Sequence, residues 1–369
     1  MNYFKVKKGV LSPRLGTLKL PHGVVKTPIF MPIATRGAVK FISPEDLREL
    51  DASIILSNTY HLLQRPGMDI LSKHKGLHKF MGWDKPILTD SGGYQVFSLA
   101  HNRKITEEGV RFRSEVDGHE IFLTPESVID TQFTIGSDII MILDECPPWP
   151  CTYEYAKNSM EVSLRWAQRA RNHFDKVVKK KRMTDATRPL IFGIVQGSTF
   201  KDLREQSARE LVKMNFDGYA IGGVAVGEPF EEKLKVFGWV NDLLPADKPR
   251  YLMGLGTPHE IVKAVQSGVD MFDCVIPTRE ARHGRLYVKN KPVGTKDWYD
   301  VTSIKKEENK FDTKPISKKC SCYACRYASR SYLRHLFQIG EGLGSRLMTL
   351  HNLQFYLDMM RELRGEKLK

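Results

Sequence analysis

Cys320, Cys322 and Cys325 form a C-x-C-x-x-C cluster, and His351 follows after 25 intervening residues. Three thiolates and an imidazole at this spacing complete a tetrahedral metal site, with zinc the expected ion. Four protein ligands leave no open coordination position, so such a zinc, one per chain, would hold structure rather than do chemistry. The blander alternative is a reduced, unliganded cluster beside an unrelated histidine. His335 is nearer, but it falls inside Arg330 to Gln338, which reads as a short helix. His351 is expected to open a fresh helix after a Gly-rich turn.

A second set of chemically capable residues lies at the ends of short apolar runs. Asp90 closes one run within Asp90-Ser91-Gly92-Gly93-Tyr94-Gln95, Asp144 another, Gln196 a third, and Asp273 lies in the last. Two aspartates suit displacement at a sugar carbon. One attacks as nucleophile, and the other protonates the leaving group and later takes a proton back. An Asp and a Gln beside glycine backbone can read the edge of a purine, and a ring such as Tyr94 can stack on it. Taken singly, each residue also has a structural explanation. Asp90 could cap a helix, Gly92 and Gly93 could serve a tight turn, and Asp144 could pair with an arginine. No serine triad is apparent, and the zinc-deaminase signature is absent.

The elements that must position these residues are legible as eight apolar runs: Pro28–Thr35, Ser53–Asn58, Pro86–Asp90, Ile139–Asp144, Leu190–Gln196, Gly218–Gly223, Arg250–Gly254 and Met271–Val275. Continuous apolar character marks strands buried on both faces. Helical stretches lie between them. Ser43-Pro44-Glu45-Asp46 and Thr124-Pro125-Glu126 carry start signals, and amphipathic segments cover 153–178, 201–214, 231–244 and 259–267. Eight strand-helix alternations favour an α/β fold, a (β/α)8 TIM barrel, over a doubly wound open sheet, for which no dinucleotide fingerprint appears. In a barrel the strand ends converge on one mouth. Residues 1–284 are assigned to the barrel, with an N-terminal flap (1–26) and a hairpin insertion (100–123, turning at Asp117-Gly118). Residues 285–351 form a basic zinc-binding subdomain, and 352–369 hold the last barrel helix, apolar at Leu353, Tyr356, Leu357, Met360 and Leu363.

Net charge is +14, and residues 285–369 carry 18 Lys and Arg against 9 Asp and Glu. That excess predicts a polyanion partner, most simply nucleic acid, against the plainer reading of a solvated Lys-rich surface. Cys146, Cys151 and Cys274 are scattered, so no disulfide framework is expected. The N-terminus lacks the apolar core of a signal peptide, and no run of about 18 apolar residues offers a membrane span. A cytoplasmic location without membrane contact is expected.

Six segments together resemble a known family. They are Asp90 to Val96, Gly193 to Gly197, Tyr219 to Glu228, Tyr251 to Gly254, Phe272 to Arg279 and the Cys3His spacing, and they resemble the bacterial type of tRNA-guanine transglycosylase in the same order over nearly the whole chain. The resemblance implies exchange of guanine at the wobble position (34) of queuosine-family tRNAs (GUN anticodons) for a 7-deazaguanine base. By this resemblance Asp273 attacks the ribose C1′, and Asp90 is general acid/base. Asp144 and Gln196 bind the base edge, Gly223 and Val224 offer backbone contacts, Tyr94 and Met253 sandwich the ring, and Ser91 orients the carboxylates. Asn58 and His61 lie near the ribose, and Arg279 and Arg282 read flanking bases. The incoming base is expected to be 7-aminomethyl-7-deazaguanine (preQ1), because Val226 is not glycine; queuine is the alternative. Val224 stands where the family more often has leucine. The resemblance also implies tRNA as partner, guanine and the deazaguanine as small-molecule substrates, and a homodimer with Tyr332 and His335 on a candidate face. A non-catalytic tRNA-binding subunit on the same fold, and a simple glycosidase, are the competing functions.

Overall fold

The computed structural model describes residues 3–7, 13–99 and 103–368. All eight apolar runs become parallel strands: β1 (Ile29–Met31), β2 (Ile55–Asn58), β3 (Ile87–Asp90), β4 (Ile139–Met141), β5 (Leu190–Val195), β6 (Gly218–Ile221), β7 (Arg250–Leu252) and β8 (Met271–Asp273). Their hydrogen-bonded order is β1-β8-β7-β6-β5-β4-β3-β2. The last seam closes through an Ile33–Leu56 bridge, with the Ala34 N–H donating to Leu56 O at 2.6 Å and the Leu56 N–H to Pro32 O at 3.0 Å. The result is an α/β barrel, with strands shorter than the apolar runs because the run ends turn into mouth loops. Nearly every strand residue is buried, as parallel strands sandwiched between a filled interior and outer helices require.

The N-terminal ends of the strands are locked by one repeated device. Asp138, Asp217 and Asp270 each precede the second strand of a pair. Each donates its N–H to, and accepts through its carboxylate from, the same backbone residue of the first strand. The partners are Ile87, Ile191 and Arg250. Each carboxylate also meets a basic side chain: His22 and His78 for Asp138, Arg188 for Asp217, Arg14 for Asp270. Arg14 and His22 belong to the expected flap, a three-stranded antiparallel sheet of Phe4–Val6, Gly16–Leu20 and Gly23–Thr27. The flap thereby plugs the closed end of the barrel; residues 1, 2 and 8–12 lie outside the described set.

The helix start signals act as expected. Ser43 with Asp46 and Thr124 with Ser127 form capping boxes, and Thr257 with Glu260 repeats the pattern. Short helices at Thr59–Gln64, Met68–Lys73, Leu77–Met81 and Ile276–Arg282 were not expected from the sequence. Each is only one or two turns long, too short to show a period. The insertion after β3 is a three-stranded sheet, Lys104–Ile105, Val110–Arg113 and Glu120–Leu123. Residues 100–102 of the expected segment are outside the described set.

After β8 come an antiparallel hairpin (Arg285–Lys289 with Tyr299–Ser303), helices Tyr323–Tyr327 and Arg330–Gln338, and a long helix Gly342–Leu363. The sequence places the start of this last helix near 352, with His351 at its opening; the helix begins ten residues earlier, and His351 sits in its middle. Gly342 and Gly344 read as a turn, but both are helical, Gly344 facing the preceding helix. A Cβ there would lie 2.9 Å from Leu336 Cβ, so glycine permits two helices to touch.

Candidate active site and metal centre

The strand ends open into a cleft of about 430 Å³ at the C-terminal mouth, lined among others by Asp90, Ser91, Tyr94, Asp144, Gln196, Gly223, Met253 and Asp273. Barrel register explains the convergence. Asn58 and Asp90 are direct partners across β2 and β3, and the Asn58 amide donates to Asp90 Oδ2 at 2.6 Å. The Thr59 N–H reaches Asp90 Oδ1 at 3.2 Å. Burial, opposed by these donors and reinforced by the charge of Asp273, pushes the Asp90 carboxyl up to about 8. Asp273 is held differently. The Tyr251 hydroxyl (2.6 Å) and the Gly254 N–H (2.8 Å) both donate to its Oδ1. Burial raises its pKa, and those two donors oppose the rise.

A second cluster forms the cleft's other wall. Gln196 Nε2 donates to Asp144 Oδ2 at 2.7 Å, and Ser91 Oγ to Oδ1 at 3.3 Å. Burial lifts Asp144 to about 6 against these donors, so it remains mostly an anionic acceptor near neutral pH. Gln196 Oε1 is buried and meets no hydrogen-bond donor among the described residues. Two glycines are dictated by this packing: a Cβ on Gly93 would lie 2.6 Å from the Asp144 carbonyl oxygen, and one on Gly223, at φ +60°, 2.5 Å from Gln196 Oε1. Tyr94 stands 46% exposed at the rim, and Met253 lines the cleft. Such a site offers two carboxylates for proton transfer and nucleophilic attack, with an amide, a carboxylate and glycine backbone to recognise a planar polar ligand.

Chain comparisons agree with this geometry. A family model described as queuine tRNA-ribosyltransferase matches residues 10–366. Proteins of that name from Actinobacillus succinogenes (50% identical, 98% of this chain and 92% of the relative), Thiobacillus denitrificans (51%, 95% and 91%) and Thioalkalivibrio sulfidiphilus (52%, 95% and 90%) are similar throughout. The chain belongs to the queuine tRNA-ribosyltransferase family. It is thus an enzyme of tRNA modification, a tRNA-guanine transglycosylase, and the resemblance read from the six sequence segments holds.

Not every residue singled out from sequence faces the transglycosylase cleft. The Val224 side chain is buried in the core, so the contact expected of this residue is one for its backbone alone. Asn58 lines the cleft, but both side-chain ends are engaged, the amide on Asp90 and the carbonyl oxygen on the His61 N–H. His61 is half-buried beside Tyr60, and burial together with Arg36 lowers its pKa. Arg279 lines the rim, whereas Arg282 turns back to donate to Thr278 O. Tyr251, Gly254 and Thr59 also hold the two carboxylates, roles that residue type alone does not reveal. Tyr251 and Gly254 stood within a quoted motif, but nothing in the sequence showed that Tyr251 reaches a residue 22 positions on.

The four metal-ligand candidates come together. Ligand atoms of Cys320, Cys322, Cys325 and His351 all lie within 4.8 Å of one another and could hold a metal ion. His351 Nε2 meets the Tyr287 carbonyl oxygen at 2.7 Å. That contact makes Nε2 the donor and leaves Nδ1 facing Cys325 Sγ at 3.3 Å and Cys322 Sγ at 3.9 Å. Asn352, the next residue, ties the same helix to the Pro277 and Arg285 carbonyls. The cluster thus joins the C-terminal helix to the segment that follows β8.

Proposed function

We propose that this enzyme replaces guanine 34 of GUN-anticodon tRNAs by double displacement, with Asp273 as nucleophile and Asp90 as general acid/base. Oδ2 of Asp273, which meets no donor among the described residues, attacks C1′ of nucleotide 34. The C1′–N9 bond breaks, and Asp90 gives its proton to the departing base. The incoming base then returns a proton from N9 to Asp90, its N9 attacks C1′, and the Asp273 carboxylate leaves. One N-glycosidic bond replaces another, so no energy source is needed. The observation that carries this reading is the paired carboxylates on one cleft. Asp273 has one oxygen engaged by two donors, and Asp90 is raised to about 8, protonated and able to donate at neutral pH.

Asp144, Gln196, Ser91 and the Gly223–Val224 backbone would bind the base edge, and Tyr94 and Met253 would cover its faces. Val226 in the cleft wall supports preQ1 over the bulkier queuine. Asn58, His61, Arg279 and Arg282 are the tRNA-contact candidates. The metal would be zinc in a structural role, since a tetrahedral zinc sets its S and N ligands about 3.6 Å apart, between the two observed Sγ–Nδ1 distances. Residues 285–351 would then act as a basic tRNA-holding module. The exposed rings of Tyr323, Tyr327 and Tyr332 (46%, 67% and 44%) support a homodimer through this region, and the cytoplasm, where tRNA is found, is the proposed location.

Incorporation of labelled guanine into tRNA, and a denaturant-stable protein–tRNA adduct, test the reading. Wild type should give both, and D273N neither. An adduct that survives D273N would remove Asp273 as nucleophile, and tRNA binding without any exchange by wild type would favour a non-catalytic subunit.

A further inference from the structure

Arg204 is fully buried in the first turn of helix Lys201–Lys213, and among the described residues no carboxylate pairs with it. All its hydrogen bonds go to backbone carbonyls at the tops of β5 and β6. Nε donates to Ser198 O (2.6 Å), Nη1 to Val195 O (2.8 Å) and Gly222 O (2.7 Å), and Nη2 to Gly223 O (3.0 Å). Burial lowers its pKa to about 10, so it stays a cation at neutral pH. Burying a charge whose direct partners are all carbonyls, with the buried Glu228 acting on it only beyond hydrogen-bond reach, is expensive, and the barrel ladder does not demand it. The β5–β6 ladder is complete at Val195–Ile221.

What the guanidinium does is turn two peptide planes. In a trans peptide the C=O and the following N–H point in opposite directions, and the Gly222–Gly223 and Gly223–Val224 bonds are trans. With both carbonyls drawn onto Arg204, the N–H groups of Gly223 and Val224 face the other way. Among the described residues neither meets a protein acceptor. The same turn packs against Gln196: a Cβ on Gly222 would lie 2.9 Å from Nε2, and one on Gly223 2.5 Å from Oε1. Gln196 in turn bonds Asp144.

We infer that Arg204 is a positioning residue for base selectivity, holding the Gly222–Gly223 turn so that the Gly223 N–H donates to a purine carrying a carbonyl oxygen at position 6 and disfavours one carrying an amino group there. The inference rests on the base-exchange reading above. A planar fork with donors on three nitrogens spans both strand ends, whereas a lysine ammonium presents its donors at one point.

The test uses full-length enzyme and competing free bases against labelled guanine incorporation into tRNA. 2,6-Diaminopurine replaces O6 with an amino group; hypoxanthine keeps O6 and lacks the 2-amino group. In R204M the preference for guanine over 2,6-diaminopurine should shrink about tenfold, and that for guanine over hypoxanthine should change by less than about twofold. If both preferences move together, or neither moves while turnover falls, Arg204 supports the fold and not selectivity. Should R204M fail to fold, the same two ratios in R204K decide the matter. Wild-type incorporation of labelled guanine is the control: its failure would overturn the exchange reading itself, independently of Arg204.

Discussion

Tyr251 and Asp273, 22 residues apart, meet through a 2.6 Å hydrogen bond from the phenol to Oδ1. The Gly254 N–H takes the same oxygen, so the carboxylate is anchored by one atom and keeps Oδ2 for the cleft. Tyr251 is wholly buried and reaches this position because β7 and β8 are neighbours in the barrel.

Removing that phenol tests the anchor. The Tyr251 bond opposes the burial that raises Asp273, so Y251F should raise the Asp273 pKa further. The acidic limb of kcat/KM against pH should move to higher pH, and kcat should fall about 10- to 100-fold. An unchanged acidic limb would mean that Tyr251 does not tune the nucleophile.

Asp90 sets the opposite limb. Its proton is present below about 8, so activity should decline as pH rises through that value. The same elevation carries a stability consequence. An aspartate unfolds to a pKa near 3.9, so the native state gains from the neutral carboxyl below that pH and loses this advantage as pH climbs toward 8. D90N should therefore be more stable than wild type near pH 7.5, by roughly 2–5 kcal/mol, and so melt higher there, and be close to wild type at pH 4. Thermal melts at the two pH values check the sign.

The metal cluster should behave as a staple. Metal analysis is expected to find one zinc per chain. Chelation should release the tie between His351 and the 285–289 strand, so that hydrogen exchange accelerates across 285–363 while the barrel strands stay protected. Exchange unchanged after complete metal removal would refute the structural role.

At the closed end, His22 Nδ1 donates to Asp138 Oδ1 at 2.9 Å, which raises the His22 pKa. The charged pair is therefore stabilising below the unfolded histidine value of about 6.5 and fades as pH rises through the raised native value. His22 is partly exposed, so the effect is modest. H22Q keeps a donor without the charge. Its melting temperature should fall furthest below wild type near pH 6 and approach it by pH 9; a gap independent of pH would assign the contact to packing.

How much was legible beforehand varies by element. The eight barrel strands stood out because strands buried on both faces are written as unbroken apolar runs, and Leu190–Val195 is buried at all six positions. The C-terminal helix was read too short for the converse reason. Leu347 to Met360 is buried almost all round, so the helical period visible from Leu353 to Leu363 does not mark where the helix begins, and its glycines imitate a turn. Sequence gives Val224 a backbone role beside Gly223, and its burial, invisible in residue type, shows that its side chain belongs to the core.

The sequence by itself determined the family, the strand ends that carry Asp90, Asp144, Gln196 and Asp273, and the Cys3His ligand set, because each is written in residue type and short spacing. Only the tertiary structure decided which oxygen of Asp273 is free, that Asn58 serves Asp90, and that a buried Arg204 turns the Gly222–Gly223 backbone. Those relationships join residues 18 to 32 positions apart. They exist only once barrel register brings neighbouring strands and their loops within hydrogen-bond reach.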